Sequence, residues 1–322
     1  MLLIDYINSP LAINPNNLLT LEKYNELIQH FTSNYPEKCI FFDYSQDFLE
    51  HHSATEYFSK LTNKIVFISN VDIDFPPPKK PYNYDKYADF SKFPPNYLDI
   101  PYLDKVETKL KDIIEKNNLT VFANSLSVYS KNILMIPLGI SKGFRHFHLK
   151  TNPKTNLCYA NFGIPVDRWF GNPRKKIVEF IKTKPFIKLS NTLYKKTLVG
   201  YKYINVVDND AFYNNISRSK FTICPRGCGI DTYRLWDCIC LGSIPIVDKY
   251  DGHEQFVGLP ILFLENEDKY DDLTEEFLNN TYEQFLKQDF SFEIMSTFFW
   301  HNKTVDTVKN NYPPQNYLVT EE

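Results

Sequence analysis

The chain has 322 residues, 43% of them hydrophobic and 16% aromatic, with a formal net charge of -3. At roughly 100–200 residues per domain this predicts two domains with apolar area for two cores. No global basic field marks a nucleic-acid binder, and no apolar run reaches the ~18 residues of a membrane span.

The opening residues, Met1 to Tyr6, lack the basic start and long apolar run of a signal peptide, so a cytoplasmic location is expected. Six cysteines (Cys39, Cys158, Cys224, Cys228, Cys238 and Cys240) fit no zinc spacing. They are expected to be reduced and mostly buried.

In chain order, Leu21, Tyr24, Leu27, Ile28 and Phe31 recur at helical spacing and predict a helix over 19–31. Short β-branched or aromatic runs at 39–44, 64–69 and 120–123 predict buried parallel strands, and 133–140 another. The Pro- and Tyr-rich stretch 75–101 reads as a long surface loop suited to an acceptor. A boundary falls near 143–153, dividing the chain into 1–150 and 151–322, with the last helix free to return to the first unit. Beyond it, 158–162, 221–224, 244–247 and 261–264 read as strands. Helices are expected at 173–182, with proline in the first turn, and at 231–241, 273–286 and 292–300. Strands alternating with helices in both halves argue for two doubly wound α/β units, whose ligands sit at the carboxyl ends of the strands.

The segment from Phe221 to Asp248 reads FTICPRGCGIDTYRLWDCICLGSIPIVD: strand, glycine turn, helix, tight turn, strand. Gly227 and Gly229 permit a close backbone approach to a ligand. Asp231 suits a helix N-cap, with Thr232 beside it. Free amides at such a helix start favour a diphosphate, which Pro225-Arg226 could flank with a paired charge. Gly242 stands where a helix-ending glycine is expected. Arg234 and Asp237, three residues apart, share a helix face. Asp237 can accept ribose hydroxyls, but on spacing alone a surface ion pair is the simpler account.

This segment resembles the C-terminal signature of exostosin-like glycosyltransferases, glycosyltransferase family 47 and its microbial and viral relatives. The matching residues are Ser219-Lys220-Phe221, Pro225, Gly227, Arg234, Asp237 and Gly242 to Ile246. The strong match covers about 30 residues, and the family has Glu where this chain has Asp237. The resemblance implies a GT-B fold: two Rossmann-like domains facing across a cleft. It also implies a nucleotide-sugar donor, usually a UDP-sugar, on the C-terminal side. Transfer to a glycan hydroxyl would proceed with inversion and without a required metal or other cofactor.

Inverting transfer needs a base for the acceptor hydroxyl and cations for the leaving diphosphate. Asp72 and Asp74, just past the strand at 64–69, are the first candidates for the base, ahead of Asp43 and Asp47. His146, His148 and His253 are further options. Arg174 and Arg168 are expected to offer phosphate contacts, with Lys142 and Arg145 as alternatives. Two other readings stay open. One is a metal-dependent GT-A transferase using Asp72-Ile73-Asp74, with a second Asp-X-Asp at Asp208-Asn209-Asp210. The other is a non-catalytic carbohydrate-binding protein on a transferase scaffold.

Overall fold

The computed structural model describes residues 18–43, 54–69, 110–124, 130–141, 144, 152–163, 173–190, 193–197, 200–204, 208–227 and 230–311. The first helix, α1 (Leu21–Asn34), starts where the Thr20 hydroxyl accepts the Lys23 amide at 3.2 Å. It buries Tyr24, Leu27, Ile28 and Phe31, the predicted stripe.

Strands β1 (Cys39–Asp43), β2 (Ile65–Ser69), β3 (Thr120–Ala123) and β4 (Ile133–Met135) form a parallel sheet in that order. Side chains alternate between its faces. Ile65, Phe67 and Phe122 meet Tyr24, Leu27 and Phe31 of α1. Val66, Ile68, Val121 and Ala123 pack opposite, with Phe58 of α2 (Ala54–Ser59), Leu110 and Ile114. Burial on both faces is why these strands read as unbroken apolar runs. The strand expected over 133–140 ends at Met135. Pro137 lacks a ladder donor, and Gly139 turns to φ 72°. A Cβ at Gly139 would stand 2.0 Å from the Leu19 carbonyl oxygen.

The second sheet has the order β11-β10-β9-β5-β6, all parallel. These strands are β5 (Asn156–Ala160), β6 (Ile187–Leu189), β9 (Ser219–Ile223), β10 (Ile244–Asp248) and β11 (Leu262–Leu264). The chain runs outward from β5 to β6, then crosses back to lay β9 on the other side of β5. The four described strands of the first sheet follow chain order instead. Among the helices, α3 (Pro173–Ile181) begins with its proline, as predicted, and α5 (Tyr233–Cys240) follows the glycine turn. Gly242, at φ 67°, ends α5: the Ser243 amide reaches back to the Cys238 carbonyl at 2.9 Å.

Several elements were not anticipated from sequence: β6, the antiparallel hairpin of β7 (Leu193–Thr197) and β8 (Gly200–Ile204), and α4 (Asn209–Ser217). Their periodicity is short or polar, and α4 declares itself chiefly by its cap, where Asp208 accepts the Ala211 amide at 2.9 Å. That cap gives the Asp208-Asn209-Asp210 triplet a structural role.

After α6 (Glu275–Phe285), the last helix, α7 (Thr297–Asn311), extends well beyond the predicted 292–300. Its Trp300 and Val308 pack with Tyr24, Phe31 and Phe67 against the first sheet. One apolar cluster joins Val66, Val121 and Met135 of the first sheet to Phe221, Ile246 and Trp236 of the second. The two parallel sheets and their helices thus form an α/β architecture joined through this shared apolar cluster. No helix among the described residues is long and apolar enough to cross a membrane.

Candidate functional site

In an open parallel sheet a ligand crevice forms where the strand order reverses. Here that point lies between β5 and β9, and the turns leaving their carboxyl ends are 161–163 and 224–227. Arg174, at the start of α3, ties these turns together. Its Nε donates to the Arg226 carbonyl at 2.7 Å, Nη1 to Gly163 at 3.0 Å and Nη2 to Pro225 at 3.4 Å. Arg174, expected to touch phosphate, thus braces the two turns through three backbone carbonyls. Arg226 is also buried; its Nη1 donates to the Tyr250 hydroxyl at 3.4 Å, and its guanidinium lies 5.4 Å from that ring.

Arg234, in the first turn of α5, differs from both. It makes no hydrogen bond with the described residues, its Nε is buried without a partner, and it lies 5.7 Å over the Phe212 ring. A guanidinium offers donors in a fixed fork suited to phosphate oxygens. At this pole Arg234 is the arginine whose donors find no acceptor among the described residues.

The two acidic residues of the motif face inward. Asp231 is buried and accepts the Trp236 Nε1–H at 2.7 Å on one oxygen and the Leu138 amide at 2.7 Å on the other. The N-cap position itself belongs to Thr232, whose side chain makes no capping bond, so the expected cap is displaced by one residue. Asp237 is buried as well and accepts the Ser141 amide at 2.9 Å. The Ser141 hydroxyl bonds the Tyr213 hydroxyl at 2.7 Å. Burial raises both carboxyls from an ordinary 3.8 to about 7, opposed by the amides that bond them and, for Asp237, by the Arg234 charge.

Two further groups here escaped the sequence reading or were underweighted by it. Asp248 ends β10 with both carboxylate oxygens buried and without a partner among the described residues. His253 is buried; its Nδ1 accepts the Tyr250 amide at 3.3 Å, which assigns the ring proton to Nε2. Desolvation lowers its pKa to about 3, with the Asp248 carbonyl opposing, so the ring is neutral. Buried polar groups left without partners call for an explanation. Periodicity marks position 248 as the end of a strand and gives no sign that its carboxylate lacks donors.

Cys39, Cys158, Cys224, Cys238 and Cys240 are free and buried. Cys224 and Cys238 lie with sulfurs 3.6 Å apart beneath the turn, and desolvation pushes the Cys238 thiol well above its usual range, so these are packing residues. Pro225 and Gly227 occupy the turn as expected. Asp72, Asp74, Asp47, Gly229, Arg168, Lys142, Arg145, His146, His148 and the loop 75–101 lie outside the described residues, and of Asp43 only the backbone is described. Among the described residues no cluster of His, Cys, Asp or Glu could hold a metal ion.

A solved structure is similar. It is described as a putative UDP-N-acetylglucosamine 2-epimerase from Listeria monocytogenes, and it matches at 12% identity with a TM-score of 0.36. The match covers 90% of this chain and 78% of that one. No family model matches the chain, and no curated protein matches it.

Proposed function

We propose that the protein is an exostosin-like glycosyltransferase. In this reading it moves a sugar, with inversion and without a required metal, from a nucleotide diphosphate donor of the UDP-sugar class to a glycan hydroxyl. The observation that carries this is Arg234, a guanidinium at the carboxyl pole of the second sheet, on the first turn of a helix, with no acceptor among the described residues. A leaving diphosphate supplies the acceptor such a fork lacks. The Arg234 position is also the arginine of the signature that the segment resembles. Asp248 adds an acceptor with no donor among the described residues, which suits a sugar hydroxyl.

Isothermal titration of the full chain with UDP and GDP tests the reading. UDP is expected to bind below millimolar concentration, and Arg234→Gln to weaken it at least tenfold with no fall in melting temperature. Absence of UDP and GDP binding at millimolar concentration would sink the transferase reading. Binding without transfer from any UDP-sugar would favour the non-catalytic alternative, and turnover abolished by excess EDTA the metal-dependent one.

A further inference from the structure

Three side chains of the second half of the chain hold the backbone of one short segment from the first. Asp231 accepts the Leu138 amide at 2.7 Å, and Asp237 accepts the Ser141 amide at 2.9 Å. Gln255 forms a two-way pair with Met135: the Met135 amide donates to Oε1 at 3.2 Å, and Nε2 donates to the Met135 carbonyl at 2.7 Å. The segment is also held from its own side. The Ile140 amide donates to the Leu19 carbonyl at 3.0 Å, and the Asn124 side chain donates to the Ile136 carbonyl at 2.7 Å. Residues 135–141 lead out of the first sheet, and α5 is the helix that carries Arg234. The clasp therefore joins one sheet's exit to the helix that carries Arg234.

Asp237 belongs to both arrangements. It lies one turn from Arg234 on the same helix face, close enough for the two charges to interact. Its hydrogen bond goes to Ser141, and it makes none to Arg234. Were the segment to leave, the buried carboxylate would lose its amide donor. The nearest replacement is the Arg234 guanidinium, and an unpaired buried charge is costly enough to enforce that exchange.

We propose that the clasp of Asp231, Asp237 and Gln255 on residues 135–141 keeps Arg234 available to phosphate, because it engages the one carboxylate on α5 that would otherwise capture that arginine. Asp237 is thus a positioning residue. With the first sheet seated, it bonds Ser141 and Arg234 is open; with the clasp released, Asp237 pairs with Arg234 and blocks the anion. The inference rests on the reading that Arg234 binds the donor's phosphates.

The test uses the full chain, titrated with inorganic pyrophosphate and with UDP, alongside amide exchange across 135–141. Asp231→Asn with Gln255→Ala should speed exchange in that segment and weaken both ligands about tenfold or more. Adding Asp237→Asn, which cannot form the ion pair, should restore affinity to within about threefold of the parent. A merely structural role predicts the opposite, since a third lesion in one interface deepens the loss. Three results overturn the proposal: a triple variant that binds no better than the double, a double variant with faster exchange but parental affinity, or a double variant whose exchange is unchanged. A parent chain that binds neither ligand overturns the Arg234 reading itself, an outcome distinct from a parent that binds and a triple variant that fails to rescue.

Discussion

Three arginines approach the same pole of the second sheet, and their surroundings give them different duties. Arg174 donates to three backbone carbonyls, Arg226 lies against Tyr250, and Arg234 has no acceptor among the described residues. Removing Arg174 leaves part-buried carbonyls of two turns without a donor, at roughly 1–3 kcal/mol for each group left unsatisfied. Arg174→Ala is accordingly expected to lower the melting temperature by several degrees and to weaken UDP only as far as the turn loosens. Arg234→Gln is expected to do the reverse, losing UDP affinity and keeping stability. Thermal melts of the two variants with and without UDP check this, and an Arg174→Ala protein as stable as its parent would remove the bracing role. The sequence shows that both arginines belong near the turn. It cannot show which is committed to backbone, because the Gly163, Pro225 and Arg226 carbonyls meet only after two strands have paired.

At the scale of elements, the exit from the first sheet is the most constrained stretch. Gly139 sits at φ 72°, with the Leu19 carbonyl oxygen where a Cβ would stand 2.0 Å away. Both the left-handed backbone and that clash oppose any side chain. Gly139→Ala should cost more than about 2 kcal/mol, by strain plus displacement of α1's first turn. A denaturant midpoint equal to the parent's would show that the exit can relax. Much of the neighbouring structure was legible in sequence. The α1 stripe, strands β1 to β3, the proline start of α3 and the glycine end of α5 follow from local periodicity and local stereochemistry. Strand β4 stopped short of its apolar run at Pro137 and Gly139, whereas α7 outran its own because packing against the first sheet set its extent.

Across the whole molecule, buried charges bias stability with pH. Asp231 and Asp237 have pKa values raised to about 7 in the folded state, so the folded state holds their protons more tightly than the unfolded state. Their contribution is fully favourable below the unfolded value of 3.8 and is lost as pH rises through about 7. His253, lowered to about 3, acts oppositely and favours the folded state as pH rises toward 6.5. Lys154, buried against the Ser217 and Leu241 carbonyls, is lowered to about 7, so it favours the folded state as pH rises from there toward 10.5. The groups around Asp237 are Arg234, Tyr213, Cys238 and Ser141, and those around Asp231 are Trp236, Leu138 and Thr232. Each pH unit of unmatched titration is worth about 1.4 kcal/mol. The variant Asp231→Asn with Asp237→Asn should therefore gain stability relative to the parent as pH rises from 4 to 7, and hold that gain above it. Parallel denaturation series at pH 5 and pH 7.5 measure this, and a stability difference independent of pH would show that neither carboxyl is shifted.

By itself the sequence determined the α/β rhythm, the glycine turn, the helix after it and the residues gathered there, all of which depend on neighbours close along the chain. Only the tertiary structure decided which partners those residues hold. Asp237, read as a ribose ligand, faces the Ser141 amide; Arg174, read as a phosphate cation, braces two turns; Asp248 proves to be the buried carboxylate without donors among the described residues. A side chain's chemistry is set by which partners already occupy its lone pairs and protons. Those partners arrive from segments about 50 to 100 positions away, Arg226 for Arg174 and Ser141 for Asp237, which no local pattern can bring together.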